Sequence, residues 1–248
     1  MDRQRISRIA HTRHPVAAPL ADESVARLLE RATAGAGQGR LLDLGCGEGA
    51  WLVRALAANP LWRAVGVDVD VEALVLARER ATALGVVHRI GLHHQDAREF
   101  GSHEPFDVVL CVGSTHALGG LAPTLAAARE LLAPGGRLVL GEGFWEHEPP
   151  RAALEALGAA REEYASLAAT TDRLAAEGWT PVDGHVSTQQ EWDAYEFAWT
   201  GSLAEWALDH PDDPEAAAAR EAADSHRRAW LHGYRGVLGF VTYVLRRD

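Results

Sequence analysis

The segment Leu41-Leu-Asp-Leu-Gly45-Cys-Gly47-Glu-Gly49-Ala50 spaces three glycines two residues apart, directly after an apolar run containing a carboxylate. Glycines so placed let the backbone turn sharply and let a ligand approach the main chain. Between a strand and a helix, such a loop holds a cofactor beyond the carboxyl ends of the strands. Gly45-x-Gly47-x-x-Ala50 also satisfies a dinucleotide fingerprint. Asp43 and Glu48 weigh against that ligand, because a pyrophosphate at a helix N-terminus wants no neighbouring carboxylate. A ligand whose near end carries an ammonium and a sulfonium suits this charge better. Two further residues stand where chemistry could occur. His116 follows an apolar run in Gly113-Ser-Thr-His-Ala and has the chemistry of a base near neutral pH. Glu142 closes another apolar run, with Phe144 and Trp145 beyond it.

The elements around these residues alternate. A helix is expected over Ser24–Thr33 behind an Asp22 cap, then a buried strand Arg40–Leu44, a helix Glu48–Ala58 and a strand Trp62–Val69. A helix Val71–Leu84 stops at Gly85, and strands follow at Val86–His94 and Phe106–Val112. A helix Leu121–Leu132 stops at Pro134-Gly135-Gly136, before a fifth strand, Arg137–Gly141. This order predicts an α/β fold, a parallel sheet covered on both faces. Residues 1–20 read as an irregular arm, punctuated by Pro15 and Pro19. Beyond residue 150 the rhythm changes to helical material (151–177), a strand at Thr180–Ser187, two helices near 190–209 and 214–231, and a last strand, Val237–Arg246. One domain spanning 1–248 is expected, with a helical insertion, a candidate lid, over 189–235.

Composition removes several classes. The net charge of −11 disfavours a nucleic-acid partner, since phosphate binding needs a basic surface. All 24 basic residues are arginine, which excludes Schiff-base lysine chemistry and a Walker-type phosphate lysine. Cys46 and Cys111 have no disulfide or zinc spacing and read as packed small residues; His93-His94 lack a third ligand, so no metal is expected. No membrane-length apolar run and no signal-peptide h-region are present, which makes a cytoplasmic location the expectation.

Across residues 40–143 the chain resembles the class I S-adenosylmethionine-dependent methyltransferases in motif content, order and spacing. The matching segments are LLDLGCGEGA, VGVDVD, HHQDAREF, FDVVLCVGST and LLAPGGRLVLGEGFW. It is further similar to a stand-alone bacterial UbiE-like group, the YjhP type, through Cys111-Val-Gly-Ser-Thr, Gly119-Gly120, Gly141-Glu-Gly-Phe-Trp145 and Glu191-Trp-Asp-Ala-Tyr-Glu196. The resemblance implies a Rossmann-like seven-stranded sheet of order 3-2-1-4-5-7-6 with strand seven antiparallel. It implies S-adenosylmethionine as cofactor and S-adenosylhomocysteine as product. Asp68 would grip the ribose hydroxyls and Asp96 the adenine amino group, with Asp43, Gly45, Cys46, Gly47, Val69, Ala97 and Val112 completing the cofactor site. The segment Gly113-Ser-Thr-His lacks the Asn/Asp-Pro-Pro-Tyr/Phe pattern of DNA amino-methyltransferases, in accord with a small-molecule acceptor.

Methyl transfer is an in-line displacement, so the acceptor must be aligned, shielded from water and deprotonated where it is not already nucleophilic. His116 and Glu142 are candidates for the proton-handling roles at the ends of strands four and five. Trp192, Tyr195, Glu196, Trp199, Leu203 and Trp206 recur at helical spacing, which packs the insertion or forms the wall of the acceptor site. Glu196 is the third catalytic candidate; Trp145, Trp192, Tyr195 and Trp199 are expected to bind the acceptor. His14 joins them from a basic cluster of Arg5, Arg8, His11 and Arg13 in the arm.

Overall fold

The computed structural model describes residues 1–247. In chain order the elements are α1 (Arg3–Ala10), α2 (Asp22–Thr33), β1 (Gly39–Leu44), α3 (Ala50–Ala58), β2 (Trp62–Asp68), α4 (Val71–Ala83), β3 (Ile90–His94), β4 (Phe106–Val112), α5 (Leu121–Leu131) and β5 (Leu132–Trp145). They continue as α6 (Arg151–Leu157), α7 (Leu167–Ala176), β6 (Trp179–Val186), α8 (Gln189–Asp209), α9 (Ala216–Ala229), a π-helical turn at Trp230–Tyr234, and β7 (Leu238–Arg247). Two compact units emerge. One joins Met1–Leu20, Gly143–Thr170 and Val186–Phe240; the other joins Ala21–Glu142, Thr171–His185 and Val241–Asp248.

The second unit carries the body of a seven-stranded mixed sheet of order β3-β2-β1-β4-β5-β7-β6. β1 is central and pairs in parallel with both β2 and β4. Its residues Leu41, Leu42, Asp43 and Leu44 are all buried, as a strand covered on both faces requires. β3, at the edge, is only partly covered. β5 is longer than the apolar run that announces it. Its pairing with β4 jumps from Phe106↔Leu132 to Val108↔Arg137, and Pro134-Gly135-Gly136 occupies the irregularity. These residues both stop α5 and bulge the strand, with Gly135 at φ +77°.

The first unit is helical. The N-terminal segment expected to be irregular instead forms α1. Asp2 caps it by accepting the Arg5 amide at 2.8 Å, and its inner residue Ala10 is buried. Ala10, Leu203, Ala207, Ala219 and Ala223 form its core, with Ile6, Ile9, Trp199 and Trp206 packed around them. Alanines here let α8 and α9 approach closely while the large side chains stack outside. A second cluster joins Ala153, Trp230 and Tyr234, with Trp192 and Leu157 against it. A Thr188–Glu191 capping box starts α8.

Candidate active site

Within the sheet-bearing unit, the glycine loop leaves β1 and is pinned to the end of β2. The amides of Gly45 and Cys46 donate to the Val67 carbonyl at 2.9 and 3.0 Å. Gly45 sits at φ +80°, and a Cβ there would lie 2.6 Å from the Ser114 Cβ. Any side chain would therefore have to displace the turn after β4. At Gly47, φ is +49° and a Cβ would meet nothing within 4 Å, so the loop opens onto free space at that residue. Gly49, also left-handed, delays the helix to Ala50, two residues later than the sequence pattern predicts.

Asp68 closes β2 and is half-buried. One carboxylate oxygen accepts the Gly47 amide at 2.7 Å and the other accepts the Asp70 amide at 2.9 Å. Each oxygen keeps lone-pair capacity after one such bond, so both remain able to accept from a diol. The side chain is thereby aimed by the loop it adjoins. The Asp68 carbonyl receives the Gln95 amide, which ties the β3 exit to the same place.

Asp43 is 3% exposed, and its carboxyl has no hydrogen-bond partner among the described residues. Burial, reinforced by the neighbouring charge of Asp68, pushes it up to about 8. A carboxyl group in this position suits a cationic ligand and opposes a phosphate. Glu48 at the loop's end is ion-paired with Arg80.

The remaining expected cofactor residues lie on the same unit. Cys46 and Ala97 are buried, Val112 is half-buried, and Val69 is exposed. Asp96 follows β3 and caps a short 3-10 turn, accepting the Arg98 amide at 2.9 Å and the Arg98 guanidinium at 2.5–3.1 Å. The side-chain and backbone bonds from Arg98 hold its carboxyl down at about 2. Ser114, to which the sequence assigns no role, ties the end of β4 to β1 by donating to the Leu44 carbonyl at 2.7 Å. His116 is exposed on the 3-10 turn after β4, and Glu142 lies half-buried in β5.

The other expected residues belong to the helical unit. Glu196 is 2% exposed; its two oxygens accept from the Tyr234 hydroxyl and His226 Nε2, each at 2.7 Å. Trp199 stacks on the His226 ring, with centroids 3.8 Å apart. Tyr195 lies 3.1 Å from His11 Nε2, and the His14 ring meets it edge-on at 5.2 Å. Burial, then the Glu196 charge, raises both Tyr195 and Tyr234 above the usual phenol range. Trp192 makes edge contacts with both tyrosines. Trp145 donates its indole N–H to the Arg161 carbonyl at 2.8 Å and lies edge-on to Tyr164. Tyr234 reaches Glu196 from the π-helical turn, a geometry that often accompanies functional positions. His226 and Tyr234 carry no sequence signal for this role, because each lies at least 30 residues from Glu196.

A methyltransferase-domain family profile matches residues 42–138. The uncharacterised protein YjhP of Escherichia coli is 28% identical over 99% of both chains. A methyltransferase from Geobacter sulfurreducens, solved with S-adenosyl-L-homocysteine, is 28% identical, covers 98% of both chains and superposes with a TM-score of 0.89. The corresponding Thiobacillus denitrificans complex is 29% identical over the full length of both chains, with a TM-score of 0.90. Motif order, sheet topology and these full-length likenesses agree: the chain belongs to the class I S-adenosylmethionine-dependent methyltransferases, in the YjhP type.

Proposed function

We propose that the protein binds S-adenosylmethionine through Asp43, Gly45, Cys46, Gly47, Asp68, Val69, Asp96, Ala97 and Val112, and methylates an oxygen, nitrogen or sulfur atom of a small molecule in the cytoplasm. The observation that carries the reading is Asp68, whose two carboxylate oxygens are fixed by loop amides while keeping capacity for a diol. When bound, the cofactor supplies a methyl group on a sulfonium centre. The chain's own residues orient it: Asp68 through the ribose, Asp43 through the positive end, and the open backbone at Gly47 by admitting close approach. The acidic net charge and the Gly113-Ser-Thr-His segment favour a small acceptor over nucleic acid. No helix among the described residues is long and apolar enough to cross a membrane.

For proton handling, His116 is assigned from the 3-10 turn after β4 and Glu142 from within β5, which runs on to Trp145 beyond the strand end expected at Gly141. Glu196 is a positioning group that acts through His226, since its oxygens are already engaged. His14, Trp145, Trp192, Tyr195 and Trp199 are assigned to the acceptor, with Tyr195 and His14 already in edge contact.

Two measurements bear on the reading. S-adenosylhomocysteine should raise the melting temperature by mass action, by roughly 2.7 kcal/mol of stabilisation at a hundredfold excess over Kd, whereas NADH should not. A shift with NADH alone would overturn it. Asp43 supplies the second. With its carboxyl at about 8 it is neutral at pH 7, and an adjacent cation lowers that value and expels the proton. Binding at pH 7 should therefore release a proton, and affinity should rise with pH up to about 8. Calorimetry in two buffers of different ionisation enthalpy reads this directly; a heat independent of buffer would remove Asp43 from the site.

A further inference from the structure

Opposite the cofactor loop, at the amino-terminal ends of the same strands, lies a cavity of about 290 Å³ lined by Arg40, Arg63, His88, Arg89, Glu104 and Phe106, among others. We propose that this cavity is a second ligand site that binds a phosphate dianion, either free phosphate or a small phosphate monoester.

Three arginines line it, Arg40 from β1, Arg63 from β2 and Arg89 from the 3-10 turn that precedes β3. Arg40 of β1 and Arg63 of β2 are direct partners in the parallel register. Ala64 pairs with Ile90, so Arg63 and Arg89 precede that pair on the other side. Like charges on adjacent strands are destabilising unless something between them is negative. In a chain of net charge −11, acidic residues are plentiful, yet only Glu104 enters the lining. Three guanidinium charges against one carboxylate leave an excess of about two, which matches the charge of a phosphate monoester near pH 7.

The arginines are held unequally. Arg89 is fixed by the carbonyls of Leu56, Asn59 and Trp62 at 2.8–3.1 Å. Arg40 donates to the Pro105 carbonyl at 3.0 Å, pairs with Glu104 at 3.1 Å and lies over the Phe106 ring. Arg63 has no hydrogen-bond or ion-pair partner among the described residues, and neither does His88. Arg89 and Arg40, whose end nitrogens are engaged, supply fixed positive charge, and the free Arg63 fork supplies the paired donors that match phosphate oxygens. The volume lies at the lower end of ligand pockets and suits a small molecule.

The test is calorimetric titration of the full chain with sodium phosphate and with glycerol 3-phosphate, for the wild type and Arg63→Glu. Arg63 is exposed, and S-adenosylhomocysteine binding serves as the control for an intact fold. Single-site binding to the wild type is expected, weakened by roughly tenfold or more in Arg63→Glu, with S-adenosylhomocysteine binding unchanged. Equal affinities for the two titrants identify free phosphate as the ligand; tighter binding of the ester identifies a monoester. Absence of binding to the wild type, or binding unaltered by Arg63→Glu, overturns the proposal.

Discussion

Asp68→Ala should lower the affinity for S-adenosylhomocysteine on the order of a hundredfold, because a charged acceptor bonded to two hydroxyls contributes about 1.5–3 kcal/mol. The loss should fall toward the larger end of that range. The same carboxylate fixes the amides of Gly47 and Asp70, so its removal also frees the loop that faces the ligand. Asp68→Asn should fall between the two, since one amide oxygen replaces two acceptors and one backbone N–H loses its partner. Calorimetry reads the affinities, and circular dichroism confirms the fold. Wild-type affinity in a folded Asp68→Ala protein would remove Asp68 from the cofactor site.

Glu196→Ala should cost about 3–5 kcal/mol of stability, the range for removing one member of a buried charged network. Tyr234, itself buried, and the half-buried His226 Nε2 would both lose the carboxylate and keep only their mutual contact at 3.2 Å. Glu196→Gln keeps the volume and one acceptor, so its cost should be smaller. Trp199→Ala should cost about 3 kcal/mol, since the indole covers His226 and the alanine-rich contact between α8 and α9. Urea unfolding followed by tryptophan fluorescence separates these expectations. A Glu196→Ala protein as stable as the wild type would show that the network contributes nothing to the fold. Acceptor-dependent turnover of Glu196→Gln tests its positioning role independently: normal turnover with an unchanged pH profile would end that assignment.

Most of the sheet-bearing unit is legible in the sequence because its signals are local. An apolar run ending on glycines marks β1, Pro and Gly mark the stops, and Asp68 stands where a strand's last residue meets the loop. α1 carries Ile6, Ile9 and Ala10 at helical spacing, but a stripe of three apolar residues in eight is too short to announce a helix by itself; it is held by an Asp2 cap and by contacts to α8. The 3-10 turn at Val87–Arg89 takes the first residues of the expected third strand for the same reason: Arg89 is drawn inward to cap carbonyls near α3. The Glu196–His226–Tyr234 group is likewise unreadable. Its members are brought together by the packing of α8, α9 and a π-helical turn, and no spacing in one dimension encodes that meeting.

β7 is seventh in the chain but lies inside the sheet, between β5 and β6. During synthesis the first five strands can pair while β5 still presents a bare row of amides and carbonyls. That edge stays open until the helices of residues 189–234 have been made and β7 arrives. An unpaired, largely apolar strand is a template for intermolecular pairing. Its closure also depends on contacts distant in sequence, which form slowly. The nascent protein therefore passes through a period of aggregation risk that the finished sheet conceals. Substitutions in Val241–Leu245 should show first in soluble yield and chaperone dependence, before any change in the cofactor site.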